Sequence, residues 1–228
     1  MDKYEIIRKI EDFAPLDAQE TWDASGWIVE TDKKEIKKVL LCLTVTQDII
    51  NQSQGFDMII SHHPLFFVPT DWKNIDIYCA HTNFDKAQGG TTDTLIETVF
   101  KDKIDYVKLP NDEGDFVRYI KIDITFSKLI ELLRCISPNL RYTGCKDRIN
   151  KIALCAGSAS EFAHDVFENG ADVFITGDLK FHSAIESPVT IIDIGHFESE
   201  IGALKTFERI IKNGVEIEFA NEKSPFCY

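Results

Sequence analysis

Four of the six histidines in this sequence stand in three short polar stretches that also carry carboxylates. The stretches are Ser-His62-His63-Pro64, Ala-His81-Thr-Asn-Phe-Asp85 and Gly-His196-Phe-Glu198-Ser-Glu200. Imidazoles and carboxylates with no thiolate among them suit Zn, Fe, Mn or Ni, and they are not the ligands of a closed structural zinc site. The spacing therefore predicts a composite metal site with more ligands than one ion needs.

Each stretch follows an apolar, β-prone run, at residues 56–60, 75–80 and 189–194. The carboxyl ends of strands are where ligands bind in an open α/β sheet. Adjacent side chains in a flat strand point to opposite faces, so His62 and His63 can converge only in a bend just past the strand. The following proline favours such a bend because it ends regular structure.

The third stretch has helical spacing. His196 and Glu200 are four residues apart at a predicted helix start, so they share one face, whereas Glu198 is expected to turn toward the amides at the helix N-terminus. His81 and Asp85 repeat the offset of four. Either Asp85 or Glu200 could bridge two ions with its two carboxylate oxygens.

The elements that must position these residues alternate between strands and helices, which predicts an α/β protein. Strands are expected at residues 39–45, 56–60, 75–80, 117–124, 152–155, 173–175 and 189–194, and helices at 4–13, 46–53, 92–100, 127–136, 161–169 and 198–212. We predict a two-lobed α/β/α-type architecture with mixed sheets. Residues 1–109 plus 189–228 would form the metal-binding lobe, and 110–188 a smaller inserted lobe.

Composition restricts the function further. The net charge of −13 repels phosphate backbones and argues against a nucleic-acid groove. No apolar stretch approaches the roughly 20 residues that span a bilayer, and the start lacks a secretory pattern. The six cysteines form no CxxC pair, and several fall in apolar runs, where Cys packs as a small hydrophobe. We expect a reduced, cytoplasmic protein.

Beyond the three stretches, the sequence contains Ala14-Pro15, Trp22-Asp23-x-x-Gly26, Gln88-Gly-Gly-x-x-Asp93-x-Leu95, Thr176-Gly177-Asp178-x-x-x-His182 and Asp193-x-Gly195. Together these segments resemble the GTP cyclohydrolase I type 2-like family, also called the NGG-one-interacting-factor-three-like family. The resemblance covers nearly the whole chain, which looks like a short form without the extra domain that some members insert.

This resemblance implies two divalent metal ions per chain and a ring-shaped homohexamer. Carried over to this sequence, the metal ligands are His62, His63, Asp85, His196 and Glu200. Thr44 stands where the family usually has Asp, which removes a hydrogen-bond acceptor next to the ligands. Asp93 and Asp178 could each orient a ligating histidine. Each could equally be a turn or helix-cap carboxylate.

The leading hypothesis is a metal-dependent hydrolase of a small-molecule substrate. His81 or His182 would move protons to the leaving group. A polar residue on a surface helix is nearly as good an explanation of His182. By resemblance the substrate is a purine nucleotide such as GTP, opened at its ring, and a phosphoester is the competitor.

The alternative is a non-enzymatic, metal-loaded ring that regulates other proteins or stores metal. The three tryptophans, Trp22, Trp27 and Trp72, could stack on a base, but we expect core or interface packing for all of them.

Overall fold

We describe the fold from a computed structural model, which covers residues 1–112 and 114–226. The helices of these residues are α1 (Lys3–Phe13), α2 (Gln47–Gln52), α3 (Thr82–Lys86), α4 (Thr91–Phe100), α5 (Phe126–Arg134), α6 (Ala163–Glu168), α7 (Phe181–Glu186), α8 (His196–Glu200) and α9 (Leu204–Ile211). The strands are β1 (Gly26–Val29), β2 (Lys38–Cys42), β3 (Met58–Ser61), β4 (Asp76–Cys79), β5 (Tyr106–Lys108), β6 (Arg118–Thr125), β7 (Arg141–Tyr142), β8 (Arg148–Ser158), β9 (Val173–Gly177), β10 (Thr190–Asp193) and β11 (Glu216–Phe219).

The chain forms two compact units. The first contains Met1–Gly90 and Ala203–Lys223, and the second contains Thr91–Gly202 with residues 224–226. These bounds differ from the predicted lobes, 1–109 plus 189–228 and 110–188. The reason is that α4 packs against β8, while β10 pairs in parallel with β9, so both elements belong to the second unit.

The sheet of the first unit has five strands in the order β1-β4-β3-β2-β11. β11, β2, β3 and β4 run parallel, and β1 is antiparallel to β4, which makes the sheet mixed. One face packs on α2 through Leu40, Ile49 and Ile59. On the other face Tyr78 donates a hydrogen bond to Glu11 of α1. Helices therefore cover both faces of this sheet.

The sheet of the second unit has six strands in the order β5-β6-β8-β9-β10-β7. Its central strands β8, β9 and β10 are parallel, and β5, β6 and β7 join antiparallel. Buried residues of α4 and α5 pack on one face, and those of α6 pack on the other. The predicted α/β/α architecture with mixed sheets is confirmed in each unit.

Helix ends follow local chemistry. Asp2 and Thr46 cap α1 and α2 by accepting an amide hydrogen bond with their side chains. The helix expected at residues 127–136 begins one residue earlier, at Phe126, and Thr125 is its cap. The predicted helix 198–212 is interrupted by a 3₁₀ turn at Ile201–Ala203, which contains a glycine, a poor helix former.

Three cysteines, Cys42, Cys79 and Cys155, are buried as expected for residues in apolar runs, whereas Cys135 and Cys145 are exposed. Cys227 lies outside the described residues. In the part of the chain that the structure describes, no helix is both long and apolar enough to cross a membrane.

Candidate metal centre

Two adjacent histidines lie at the carboxyl end of β3 in the first unit. The strand ends at Ser61, and His62 and His63 occupy a bend, as the sequence predicted. Their amides donate to the carbonyls of Cys42 and Leu43 over 3.1 and 2.8 Å, which ties the bend to the end of β2. The two imidazole rings stay together, with their centroids 5.0 Å apart.

The ring of His81, which follows β4, joins this pair. One ring nitrogen from each of His62, His63 and His81 lies within 4.8 Å of the other two. His62 is fully buried, and the other two are partly buried. We call these three residues the histidine cluster. Three nitrogen donors at this separation can bind a metal ion.

Two of these rings have a hydrogen-bond acceptor beside Nδ1. The His62 Nδ1 lies 3.0 Å from the carbonyl oxygen of Ala80, and the His81 Nδ1 lies 2.9 Å from Oδ1 of Asp23. Because a carbonyl and an ionised carboxylate only accept hydrogen bonds, the proton of each neutral ring is on Nδ1. Nε2 is then the nitrogen that can bind a metal, which is the usual arrangement of a histidine ligand.

Asp23 is a site residue that the sequence analysis did not single out. Its side chain has no exposed surface, and it also accepts hydrogen bonds from the amide and hydroxyl of Thr82. Burial by itself raises the pKa of Asp23, but the hydrogen bonds from Thr82 and His81 outweigh it and lower the pKa to about 2. In the sequence, the only indication of Asp23 as a site residue was its place in the Trp22-Asp23 motif. Its partner, His81, lies 58 residues further along the chain.

His81 itself is kept neutral. Burial, followed by the neighbouring His62, lowers its pKa below the ordinary histidine value, although Asp23 and Asp85 act in the opposite direction. At neutral pH the ring is thus an acceptor at one nitrogen and a donor at the other. These are the properties needed in a metal ligand or in a group that moves a proton.

Thr44 contacts His63, the remaining member of the cluster. Its Oγ1 lies 2.6 Å from the His63 Nδ1. Glu222 holds the Thr44 backbone in place by accepting the amides of Leu43 and Thr44 over 2.7 and 3.2 Å. A hydroxyl can donate or accept, so Thr44 does not fix the His63 tautomer as a carboxylate at this position would.

Asp85 lies in α3 and turns toward the histidine cluster. Its Oδ1 is 3.3 Å from the Nε2 of His62. Among the described residues this buried oxygen accepts no hydrogen bond of normal geometry. Stacking of Phe84 on Phe207, with ring centroids 4.1 Å apart, fixes the helix beneath it. A carboxylate oxygen placed in this way is suited to a cation.

In the second unit, His196 begins α8 and Glu200 ends it. The His196 Nε2 lies 3.1 Å from Oε2 of Glu200, so the two side chains share one face as predicted. Asp178 lies 2.7 Å from the His196 Nδ1, which makes it the residue that orients this ring. Asp178 adopts a left-handed conformation with φ of 52°, which costs about 1 kcal/mol for a residue with a Cβ.

Two glycines allow α8 to approach the ends of β8 and β9. A Cβ on Gly157 would lie 2.4 Å from Oε1 of Glu200, and a Cβ on Gly177 would lie 2.8 Å from the amide nitrogen of His196. At Gly177 the contact is with backbone, which cannot move aside, and at Gly157 a side chain would displace the Glu200 carboxylate and would have to adopt a φ of 72°. The close packing of His196 and Glu200 on the sheet therefore depends on glycine at both positions.

The charge around His196 differs from that around His81. Burial acts to lower the pKa of His196, but the adjacent Glu200 and Asp178 outweigh it and raise the pKa to about 9. Glu198 turns back toward its own helix start, since its Oε2 would lie 2.3 Å from a Cβ on Gly195. This agrees with the prediction that it points toward the N-terminal amides.

These groups fit a divalent cation. The first unit offers three imidazole nitrogens and the buried Asp85 oxygen, and the second offers the His196–Glu200 pair. Neither set contains a thiolate, as predicted for an open site. The structure thus holds histidine and carboxylate groups that can bind metal. The contacts at Nδ1 orient the imidazole rings of His62, His81 and His196.

Other predicted residues have different surroundings. His182 is exposed on α7, with its ring 5.5 Å from that of Phe181. Asp93 pairs with Arg118 and Lys108, which gives it a structural role. Trp72 is buried as expected, but Trp22 is 63% exposed and is not a core residue.

The chain was compared with known proteins. The Duf34/NIF3 (NGG1p interacting factor 3) family matches residues 1–73 and 72–225. A Clostridium perfringens protein named GTP cyclohydrolase 1 type 2 homolog is 35% identical, over 97% of both chains. A Campylobacter jejuni protein of the same name is 30% identical, over 98% of both chains.

Solved structures show the same fold. Reduced HcgD from Methanocaldococcus jannaschii has a TM-score of 0.82 at 27% identity, with 97% of this chain and 98% of that chain covered. The protein ybgI, described as of unknown function, has a TM-score of 0.84 at 20% identity, with 99% and 100% covered. The family match spans nearly the whole sequence, and the chain belongs to the Duf34/NIF3 (NGG1p interacting factor 3) family.

Proposed function

We propose that this protein is a metal-dependent hydrolase. The observation that carries the proposal is the histidine cluster, in which three ring nitrogens lie within 4.8 Å of one another at the carboxyl ends of parallel strands. Two of the rings have acceptor-only partners at Nδ1, so they present Nε2. A cluster built only for packing has no need of such oriented donors.

For a centre of two divalent ions, the proposed ligands are those implied by the resemblance. They are His62, His63, Asp85, His196 and Glu200. The donor types support Zn, Fe, Mn or Ni. When bound, such ions would lower the pKa of a water molecule and polarise the group that it attacks. His81 supplies a further nitrogen beside this set, so its role is either a ligand or a proton carrier.

As a proton carrier, His81 is held by Asp23 and kept neutral at pH 7. Its Nδ1 donates to the ionised carboxylate, which leaves Nε2 to accept a proton and pass it to a leaving group. This is the arrangement of a histidine oriented by a buried acid. His182 is proposed as a second proton donor, on the strength of the resemblance alone.

The substrate class rests on the relatives. Proteins named GTP cyclohydrolase 1 type 2 homolog are 35% and 30% identical to this chain. We propose a purine nucleotide such as GTP, opened at its ring, as the substrate, with a phosphoester as the competing class. The homohexamer is part of the same proposal, and light scattering on the purified chain would test it.

The experiment compares metal-reconstituted wild type with His62→Ala/His63→Ala. Both are assayed against nucleotides and phosphoesters, and bound metal is counted by mass spectrometry. His164→Ala is the matched control, since His164 is an exposed histidine outside both donor sets. We expect metal-dependent turnover in wild type and control, and its loss in the double variant. Full metal loading without turnover of any substrate would contradict the hydrolase and favour the metal-storage or regulatory alternative.

A further inference from the structure

Trp22 is the most exposed of the tryptophans, and it stands beside the histidine cluster. Its side chain is 63% exposed, whereas Trp72 is 8% exposed and Trp27 packs edge-on against Tyr78 with ring centroids 5.4 Å apart. The centroids of the Trp22 and His81 rings are 6.2 Å apart, and the ring planes make an angle of 75°. An edge contact of this kind covers little of an aromatic face, so most of the indole is left uncovered.

The backbone that carries Trp22 is firmly held. The adjacent Asp23 is buried and binds His81, Thr82 and Ser25 with its carboxylate. The amide of Asp23 also donates to the carbonyl of Glu20 over 3.0 Å. An exposed aromatic on a fixed backbone loses little conformational entropy when it binds a ligand. Trp22 is therefore preorganised for a contact.

The position of this contact indicates its chemistry. The ring of His81 lies 5.3 Å from that of His62 and 5.5 Å from that of His63, so a group against the indole adjoins the histidine cluster. Lys86, a cation of the same region, is already paired with Glu20 over 2.6 Å. The surroundings of Trp22 thus offer an aromatic surface rather than a phosphate-binding cation.

We infer that Trp22 is a stacking platform for the planar heteroaromatic ring of the substrate. The inference rests on the proposed function and makes it more specific, because it selects a nucleobase-like ring over a simple phosphoester. Every base has a π face, so stacking on an indole needs no hydrogen-bond motif for guanine. This accounts for a nucleotide site in a sequence that lacks such a motif.

The test is equilibrium binding of guanosine to the metal-loaded protein by calorimetry, with ribose as the non-aromatic probe. Trp22→Ala is expected to weaken guanosine binding about tenfold to hundredfold, the range of base–aromatic stacking. Trp22→Phe keeps an aromatic face and should stay within about threefold of wild type, whereas Trp22→Leu should resemble Trp22→Ala. Phe167→Ala, which removes an exposed aromatic from α6, is the control and should change nothing.

Several results would overturn the inference. Equal guanosine affinity in wild type and Trp22→Ala would do so, as would equal affinity of Trp22→Leu and Trp22→Phe. A change of oligomeric state in Trp22→Ala with unchanged guanosine affinity would show that a second copy covers the indole. Wild type that binds no guanosine but hydrolyses a phosphoester would end the stacking inference while the proposed hydrolase stood.

Discussion

In each unit a histidine follows a strand that pairs in parallel with its neighbour, and a carboxylate lies four residues further along. His81 and Asp85 follow β4, and His196 and Glu200 follow β10. Each histidine also has an aspartate at its Nδ1, Asp23 at 2.9 Å in the first unit and Asp178 at 2.7 Å in the second. The two units thus use similar residues at corresponding strand ends.

The charge state of the two histidines is nevertheless opposite. Asp85 turns to His62, and burial lowers the pKa of His81, whereas Glu200 turns to His196 and helps raise its pKa to about 9. Burial and the neighbouring His62 therefore leave His81 neutral, whereas the contacts of Glu200 and Asp178 leave His196 protonated. Metal binding to His196 must therefore displace a proton, whereas His81 is already neutral.

The units also share a structural clamp. Asp57 precedes β3 and accepts the amides of Lys37 and Lys38, and Asp172 precedes β9 and accepts those of Asn150 and Lys151. A lysine completes each set, Lys33 in the first unit and Lys146 in the second. Similar scaffolds thus carry differently charged sites.

The largest expected effect concerns the buried ion pair of each unit, Lys3–Asp76 at 3.6 Å and Arg118–Asp93 at 3.1 Å. Asp76→Ala and Asp93→Ala should each lower the free energy of unfolding by about 3–5 kcal/mol, because a buried cation loses its buried carboxylate partner. Chemical denaturation measures this. Asp123→Ala, in an exposed pair with Arg148, should change the free energy of unfolding far less. Equal losses in all three variants would contradict the assignment.

The next largest effect is on metal affinity, and it should differ between Asp23 and Asp178, the aspartates beside the Nδ1 atoms of His81 and His196. Asp23→Asn should weaken metal binding about tenfold to hundredfold, as is usual when the group that orients a histidine ligand is removed. Asp178→Asn should have a smaller effect, because Asp178 is 44% exposed and Glu200 still contacts the ring. Competition with a chelator measures both affinities. A larger loss in Asp178→Asn would reverse the comparison.

The clamps predict a pH dependence. Burial raises the pKa of Asp57 and of Asp172, but the lysine and amide donors outweigh it and lower both below the ordinary value. Each clamp therefore contributes stability above the unfolded pKa of about 3.9, and this contribution is lost as pH falls through the lower folded pKa. Asp57→Asn and Asp172→Asn should each cost about 1.5 kcal/mol at pH 7 and progressively less toward pH 2.

Denaturant titrations at several pH values would test this prediction. Similar losses of unfolding free energy in the two variants would support the structural equivalence of the clamps. A loss that persists undiminished at the lowest pH would show that the carboxylate charge is not its cause.

The smallest effect concerns Thr44. Thr44→Val removes the partner of the His63 Nδ1 and should weaken metal binding about tenfold. Thr44→Asp supplies an acceptor that fixes the ring tautomer and should bind metal at least as tightly as wild type. Isothermal titration of both variants measures the difference. Tighter binding by Thr44→Val than by Thr44→Asp would contradict the role given to this contact.

Local patterns were sufficient for much of this account. The bend at His62 and His63 and the shared face of His196 and Glu200 depend on neighbours within four residues, and the sequence predicted both. Asp23 could not be assigned in this way, because its partner His81 is brought to it only by folding. The direction of Asp85 is likewise set by packing, although its spacing was known.

Other differences have equally physical causes. The strand β7 has two residues, and α7 is a short helix without buried residues. Neither element has a hydrophobic pattern from which it could be predicted. The limits of the two units depend on which sheet α4 and β10 join, and sheet pairing is a long-range property. The sequence thus indicated the strand ends where the donors lie, and tertiary contacts set their charge and orientation.

The most direct test of the central claim is an anomalous difference map from crystals grown with a divalent transition metal. We predict a strong peak at bonding distance from ring nitrogens of His62 and His63. Crystals of metal-saturated protein with no peak at the histidine cluster, or with peaks only at surface carboxylates, would contradict the account.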